Sequence, residues 1–314
     1  GPLFIKRELQ KILNIDDCKK IVFTGSGTTG AVNHLIYCLN LEGIPKVNVF
    51  LTPEEHHSNY LPWLEMSRKH KNININIIQI KENFDLNFSD LENKIKETSQ
   101  DTVNIIALTA CSNVLGIKID VKEIYNMLQK YNKCESLQKD KDKCCYGNRN
   151  LLFVDYACSA PYVKIDASYC DALYFSPHKF LGGHSTPGVL IAKQELFQNK
   201  TPYCPGGGTI EKICNTVIEY TKDIEKRELS GTPNIIGIIK IKKVLQLKEL
   251  MMNVIEHNEH EISKYVFCQF DNLMKKYPDL QVILPGCHIE NRLPIVCISI
   301  KDVHADQIVP ILAI

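Results

Sequence analysis

Short apolar runs alternate with longer amphipathic stretches along this chain of 314 residues. Seven apolar runs, rich in β-branched residues, predict strands at residues 21–24, 47–51, 75–80, 103–108, 151–154, 172–175 and 189–192. Several of these runs lack polar alternation, which is typical of strands that are buried on both faces. Helical patterns separate many of them, as at residues 31–39, 86–95 and 121–131. The pattern predicts an α/β fold with a doubly wound, mostly parallel seven-stranded sheet.

The same pattern predicts how the chain divides into domains. Residues 1–232 form a large domain that binds the ligand, with a charged insertion near residues 133–150. A mostly helical connector covers residues 233–276, and residues 277–314, with a strand at 295–300, begin a smaller α+β domain. Apolar helical patterns run into both termini, so we expect both ends to be cut from a longer protein.

Composition narrows the classes of partner. The 37 Lys and Arg residues balance 36 Asp and Glu residues, which argues against a nucleic-acid or membrane-surface role. Thirteen cysteines are scattered mostly singly and no long apolar span occurs, which favours the cytoplasm or another reducing compartment, with organelle targeting left open. Cys134, Cys144 and Cys145 lack the spacing of a zinc site. We therefore expect no metal, and a small molecule or a protein as partner.

The most informative motif is the segment from Ser176 to Gly183, which follows the sixth predicted strand. Lys179 within it can bind an aldehyde cofactor such as pyridoxal phosphate as a Schiff base. Ser176 and His178 could add contacts to the cofactor phosphate. A cationic neighbourhood and partial burial of Lys179 would lower its pKa, as imine formation requires.

Two further motifs end predicted strands. The segment at residues 25–30, rich in glycine and threonine, follows the first strand and precedes a helix, a position that suits phosphate binding. A tight strand-to-helix turn without a ligand would have the same sequence pattern. The segment has neither the Walker nor the dinucleotide spacing. Asp155 ends the fifth strand, where a carboxylate can pair with a protonated pyridine nitrogen or serve as a structural cap.

Two more candidate residues follow the second and fourth strands. His56 could stack on an aromatic cofactor and exchange protons; it could also be a loop histidine or half of a metal site that lacks a third ligand. Asn113 could donate to a cofactor phenolate or a substrate carboxylate, or it could be a turn residue. Five motifs in this order, each at the end of a predicted strand, indicate a pyridoxal-phosphate site.

This order of motifs resembles the class V aminotransferase family, pyridoxal-phosphate enzymes of fold type I, and especially its cysteine desulfurase branch, over nearly the whole chain. The resemblance implies that the cofactor phosphate is bound by Thr28, Thr29, Ser176 and His178. His56 would stack over the ring, Asp155 would pair with the pyridine nitrogen, and Lys179 would form the Schiff base.

The resemblance also implies roles for Asn113 and Thr232, and the sequence differs from the family pattern at two points. Asn113 would lie near the phenolate and substrate, and Thr232 would reach a phosphate across the interface of a homodimer with shared sites. Cys158 stands where desulfurases usually carry glutamine or histidine. The family's carboxylate-binding arginine and persulfide-forming cysteine lie beyond residue 314, and we interpret Arg292 as structural.

The resemblance implies a desulfurase-like reaction. The amino group of cysteine would displace Lys179, which then acts as general base at Cα, with His56 as the second catalytic residue. Sulfur would pass to a thiolate outside this sequence and leave alanine. Transamination, epimerisation and lyase chemistry are alternatives, as are a non-catalytic relative that serves as scaffold and a phosphate-binding nucleotide enzyme.

Overall fold

A computed structural model describes residues 2–99, 102–132, 150–214, 217–283 and 289–312. The strands of the main sheet are β1 (Lys19–Thr24), β2 (Lys46–Leu51), β3 (Ile73–Ile77), β4 (Thr102–Thr109), β5 (Asn150–Asp155), β6 (Ala172–Phe175) and β7 (Gly188–Lys193). The helices around it are α1 (Pro2–Ile12), α2 (Gly27–Leu39), α3 (His57–Lys69), α4 (Phe88–Lys96) and α5 (Val121–Tyr131). The charged insertion and the three cysteines in it lie outside the described residues.

The seven strands form one sheet in the order β1-β7-β6-β5-β4-β2-β3. Neighbours from β3 to β6 pair in parallel, and β7 pairs antiparallel to both β1 and β6. The predicted mostly parallel sheet is therefore confirmed. The strand β3 departs most from its predicted range of 75–80: it begins at Ile73 and ends at Ile77, because the chain then turns and Ile80 forms an isolated bridge with Leu86.

Both faces of the sheet are buried, which explains the missing polar alternation. On β5, Leu151 and Phe153 belong to a core shared with α2 and α3. Leu152 and Val154 point to the other face and join a core with α1, α4 and α5. Trp63 of α3 stacks on Phe153 with ring centroids 6.1 Å apart. Each such buried side chain contributes roughly 1.5–3 kcal/mol, so the sheet holds the loops at its edges firmly.

The remaining elements extend from the sheet. They are β8 (Ile210–Cys214), β9 (Val217–Tyr220), α6 (Ile224–Arg227), α7 (Ile235–Lys276), β10 (Leu280–Val282), β11 (Ile298–Ile300) and α8 (Ala305–Leu312). The predicted helical stretch is thus a 42-residue helix, and the predicted strand at 295–300 forms only over β11. None of the helices in the described ranges has the length and apolar character needed to cross a bilayer.

Arg292 ties the last part of the chain to the sheet. It is 2% exposed, its Nε donates to Leu115 O at 2.7 Å, and its guanidinium lies 4.0 Å from the centre of the Phe267 ring. A buried guanidinium held by a carbonyl and an aromatic face stabilises packing. These contacts agree with the structural interpretation of Arg292.

Candidate active site

Five loops that carry candidate residues leave the sheet at one edge. Strands β2, β4, β5 and β6 run in parallel, and β1 has the same direction because β7 is antiparallel to both β1 and β6. Their carboxyl ends therefore lie side by side, where open α/β sheets bind ligands.

Thr28 and Ser176 meet at the start of α2. The Thr28 N–H donates to Ser176 Oγ at 2.9 Å, and the two hydroxyl oxygens lie 2.8 Å apart. Gly27 has φ +57°, and a Cβ on it would lie 2.7 Å from Ser176 Oγ and 2.9 Å from His178 Cε1. The close approach therefore requires glycine. Hydroxyls and backbone N–H groups at a helix N-terminus suit a phosphate, so these residues fit one.

Lys179 ends a single 3-10 turn, Pro177–Lys179, that directly follows β6 and Ser176. Its side chain is exposed, so the expected partial burial is wrong. The reason is that the turn lies beside a groove of about 660 Å³ against α7, which Phe180, Lys248 and Met251 also line. The amine of Lys179 is therefore accessible to a ligand that enters this edge of the sheet.

Asp155 is almost completely buried at the end of β5, with 2% of its surface exposed. Burial raises the pKa of its carboxyl to about 6, while a hydrogen bond from the Ala157 N–H to Oδ1 (2.8 Å) and the charge of Lys179 act in the opposite direction. A buried carboxylate of this kind gains most from a cationic hydrogen-bond donor. Asp155 therefore fits a protonated ring nitrogen.

His56 caps the start of α3, where its Nδ1 accepts a hydrogen bond from the Ser58 N–H at 3.1 Å. The ring is exposed, and burial of its inner part, followed by the charges of Lys179 and His57, lowers its pKa. The imidazole is therefore neutral near pH 7, as a proton acceptor should be. The Ser58 hydroxyl lies 2.7 Å from that of Thr29, so the loop before α3 touches the start of α2.

Asn113 and Thr232 are exposed, and no hydrogen bond within the described ranges joins either side chain to the other candidates. The turn at Asn113 is held by Ser112, whose Oγ accepts the N–H groups of Val114 and Leu115. The loop with Thr232 is held where the Gly231 N–H donates to Gly207 O at 2.8 Å. Their roles at the cofactor remain predictions.

The sequence did not assign a role to Glu55, the buried residue directly before His56. Glu55 is buried and accepts hydrogen bonds from Thr52 Oγ1 (2.8 Å) and Asn59 Nδ2 (2.7 Å). Burial raises its pKa to about 7. The available signal was its place just after β2, at the same edge as the other candidates.

Cys158, three residues after Asp155, is half-buried near both Asp155 and Lys179. Its thiol interacts with that of Cys111, which follows the neighbouring strand β4. The hydrogen bond between the two thiols, and then the charge of Lys179, lower the pKa of Cys158. The same hydrogen bond, and then burial, raise the pKa of Cys111. Cys158 is therefore the more nucleophilic of the two thiols.

Within the described ranges, one group of three side chains could hold a metal by distance: His34, Cys38 and Glu228, whose ligand atoms lie within 4.8 Å of one another. Protein donors already occupy the carboxylate, because Arg227 Nε donates to Oε1 (2.8 Å) and the Tyr203 N–H donates to Oε2 (3.0 Å). Both oxygens of the Glu228 carboxylate therefore accept hydrogen bonds from the protein, so this buried group has partners without a metal.

Comparison with known proteins shows the family to which this chain belongs. The sequence profile of the family described as aminotransferase class V matches residues 5–138 and 139–314. The chain belongs to the class V aminotransferase family. It is 28% identical over 311 residues to a probable cysteine desulfurase of Borreliella burgdorferi, covering 96% of this chain and 67% of the relative. It is 29% identical over 296 residues to a cysteine desulfurase of Wigglesworthia glossinidia brevipalpis, covering 90% of this chain and 67% of the relative.

Solved structures share the fold of this chain. An apo cysteine desulfurase from Thermococcus onnurineus superposes with a TM-score of 0.80 at 24% identity, covering 99% of this chain and 71% of that one. A cysteine desulfurase from Escherichia coli gives a TM-score of 0.77 at 23% identity with the same coverage of both chains. The expected family and fold are thereby confirmed.

Proposed function

We propose that this member of the class V aminotransferase family is a pyridoxal-phosphate enzyme that acts on an amino acid, with removal of sulfur from cysteine as its reaction. One observation carries the proposal: Thr28 with Ser176, the buried Asp155 and the amine of Lys179 lie on loops at the same edge of the sheet. The names of the relatives support cysteine as the substrate.

The residues present fit the cofactor at both of its ends. The N–H and hydroxyl of Thr28, with Ser176 and His178, would hold the phosphate at the start of α2. Asp155 would hold the ring nitrogen at the end of β5, because a buried carboxylate favours a cationic partner. When bound, pyridoxal phosphate would supply an electron-withdrawing ring that stabilises negative charge at the substrate Cα.

The protein's own groups would move the protons. Lys179 would bind the aldehyde through its amine and, once released by the substrate amine, take the proton from Cα. His56 would exchange a second proton, since its lowered pKa keeps the ring neutral near pH 7. A thiolate would attack the sulfur of cysteine, so that a persulfide forms as the Cβ–S bond breaks. Addition of a proton at Cβ would then give alanine as the second product.

A homodimer with shared sites belongs to the same proposal. Thr232 would then reach the phosphate of the partner's site, which suits its exposure and its place on a loop that hydrogen-bonds to another loop through Gly231 and Gly207. Replacement of Thr232 by alanine would weaken cofactor binding only where two chains associate. Sedimentation of wild type and variant, each with a titration of pyridoxal phosphate, tests this extension.

The experiment for the main proposal compares Lys179→Ala with Lys164→Ala, a change of an exposed lysine outside the site. Wild type and Lys164→Ala should show the visible absorbance of amine-bound pyridoxal phosphate, and Lys179→Ala should not. Alanine and sulfide are then measured with cysteine and a reductant present. Absorbance that persists in Lys179→Ala would refute the cofactor assignment. A keto acid in place of alanine would favour transaminase or lyase chemistry.

A further inference from the structure

Glu55 is an enclosed carboxyl group to which the proposed function gives no role. It lies between β2 and α3, directly before His56, and 8% of its surface is exposed. Thr52 Oγ1 donates to Oε1 at 2.8 Å, and Asn59 Nδ2 donates to Oε2 at 2.7 Å. A donor to each oxygen is the arrangement that an ionised carboxylate prefers.

Asn59 connects Glu55 to the sheet. The side chain of Asn59 has no exposed surface, and its Nδ2 donates to Ala107 O of β4 at 3.3 Å as well as to Glu55. Its Oδ1 accepts a hydrogen bond from the Tyr174 hydroxyl on β6. Both ends of the amide are bonded, so its orientation is fixed, and with it the position of the Glu55 carboxylate.

The same chain of hydrogen bonds ends beside Asp155. Tyr174 is the direct partner of Asp155 in the parallel pair of β5 and β6. Both side chains belong to the α3 face of the sheet, because Phe153, two residues before Asp155, and Tyr174 share the core on that face. Glu55 therefore lies behind the carboxyl group that the proposed function assigns to the ring nitrogen.

Three groups from the neighbouring strands face Glu55: the Thr109 N–H of β4, Asp155 of β5 and Tyr174 of β6. Burial raises the pKa of Glu55 to about 7; hydrogen bonds from Asn59, Thr52 and Thr109 oppose this rise, and the charge of Asp155 adds to it. Burial, then Asp155 and Glu55, raise the pKa of Tyr174, so Tyr174 stays neutral. Of the two carboxyl groups, Glu55 therefore has the higher pKa, and it is the one whose charge changes nearest pH 7.

We propose that Glu55 is a positioning residue whose charge determines how firmly Asp155 holds a protonated ring nitrogen. The inference rests on the proposed function, because it needs the cofactor at Asp155. An ionised Glu55 adds a second negative charge behind Asp155 and stabilises a cation at the ring. A protonated Glu55 leaves Asp155 to act alone, so the affinity for the cofactor falls as Glu55 gains its proton.

The test measures the dissociation constant of pyridoxal phosphate by equilibrium dialysis, for wild type and Glu55→Gln, from about pH 6 to about pH 8.5. Glutamine has the shape of protonated glutamate and never ionises. The two proteins should bind pyridoxal phosphate with equal affinity near pH 6. At pH 8 the variant should bind it on the order of tenfold more weakly, because a change of one unit in the pKa of the ring nitrogen corresponds to a factor of ten in affinity. A loss of equal size at every pH is the mark of a merely structural residue and would overturn the inference.

Glu54→Gln is the matched control. Burial, and then the charge of Asp85, raise the pKa of Glu54 to about 7 as well, but Glu54 faces Asp85 and not Asp155. Its replacement should leave the pH profile of wild type unchanged; a profile like that of Glu55→Gln would contradict the inference.

A second variant tests the assignment without removal of the carboxyl group. Thr52→Val removes the donor to Glu55 Oε1, which should raise the pKa of Glu55 and move the midpoint of the binding profile to higher pH. An unmoved midpoint would contradict the inference. If wild type binds no pyridoxal phosphate at any pH, the proposed function itself fails. If wild type binds pyridoxal phosphate and the pH profile of Glu55→Gln runs parallel to that of wild type, only the role of Glu55 fails.

Discussion

The hydroxyl groups of Thr28 and Ser176 lie 2.8 Å apart, although 148 positions separate the two residues in the chain. Thr28 begins α2 after β1, and Ser176 follows β6. Their contact is possible because β7, antiparallel to both strands, lies between them and lets the two ends emerge side by side. The proposed phosphate site is therefore a product of sheet topology.

Ser176→Ala should weaken the binding of pyridoxal phosphate about tenfold, because Thr28 loses the partner of both its N–H and its hydroxyl. The dissociation constant from a fluorescence titration measures this loss. Ser67→Ala is the control, since Ser67 donates only to Leu64 O within α3. Equal affinities of wild type and Ser176→Ala would contradict a role of Ser176 in binding the phosphate.

Asp155→Asn should stabilise the cofactor-free protein at pH 8. The folded-state pKa of Asp155 is raised to about 6, so folding favours its protonated form, and stability falls as pH rises from about 4 to about 6. Asparagine has no charge to bury. Urea unfolding should therefore show a gain of roughly 1–3 kcal/mol at pH 8 and little gain near pH 4.

Bound pyridoxal phosphate should reverse the order of stability of wild type and Asp155→Asn. A ring nitrogen held by Asp155 gives the carboxylate its cationic partner, so saturating pyridoxal phosphate should stabilise wild type more than Asp155→Asn. A variant that gains no stability at pH 8, or that the cofactor stabilises as strongly as wild type, would contradict the assigned role of Asp155.

The hydrophobic pattern was sufficient to predict the sheet, because strands such as β4 and β5 are buried on both faces and consist mostly of apolar residues. The strand ends then located Thr28, His56, Asp155 and Lys179. Exposure was harder to foresee. The exposure of the Lys179 side chain depends on how α7 packs against the turn after β6, and these two segments are distant in sequence.

Glu55 shows a second limit of sequence reasoning. Its residue type and its place after β2 were visible, yet its burial depends on Asn59 from α3 and Tyr174 from β6. No local pattern reports contacts of this kind between elements. The network of His34, Arg227 and Glu228 escaped prediction for the same reason, since its members lie on α2 and at the end of α6.

Glu228→Ala should destabilise the protein by about 3–5 kcal/mol, because it leaves the buried guanidinium of Arg227 and the ring of His34 without their carboxylate. Thermal unfolding measured beside Glu219→Ala, a change of an exposed glutamate on β9, separates this loss from a general effect of charge. A loss below about 1 kcal/mol would show that the ion pair is not a structural support.

Cys158 should react with iodoacetamide near pH 7 faster than Cys297, another half-buried cysteine, in the cofactor-free protein. The interaction with Cys111, and then the charge of Lys179, lower the pKa of Cys158 and so increase its thiolate fraction. Peptide mass spectrometry over a time course gives the rate at each site. Cys111→Ala should slow the labelling of Cys158, and Cys111→Ser, which keeps a donor, should restore part of the rate. Equal rates in wild type and Cys111→Ala would show that the neighbouring thiol does not activate Cys158.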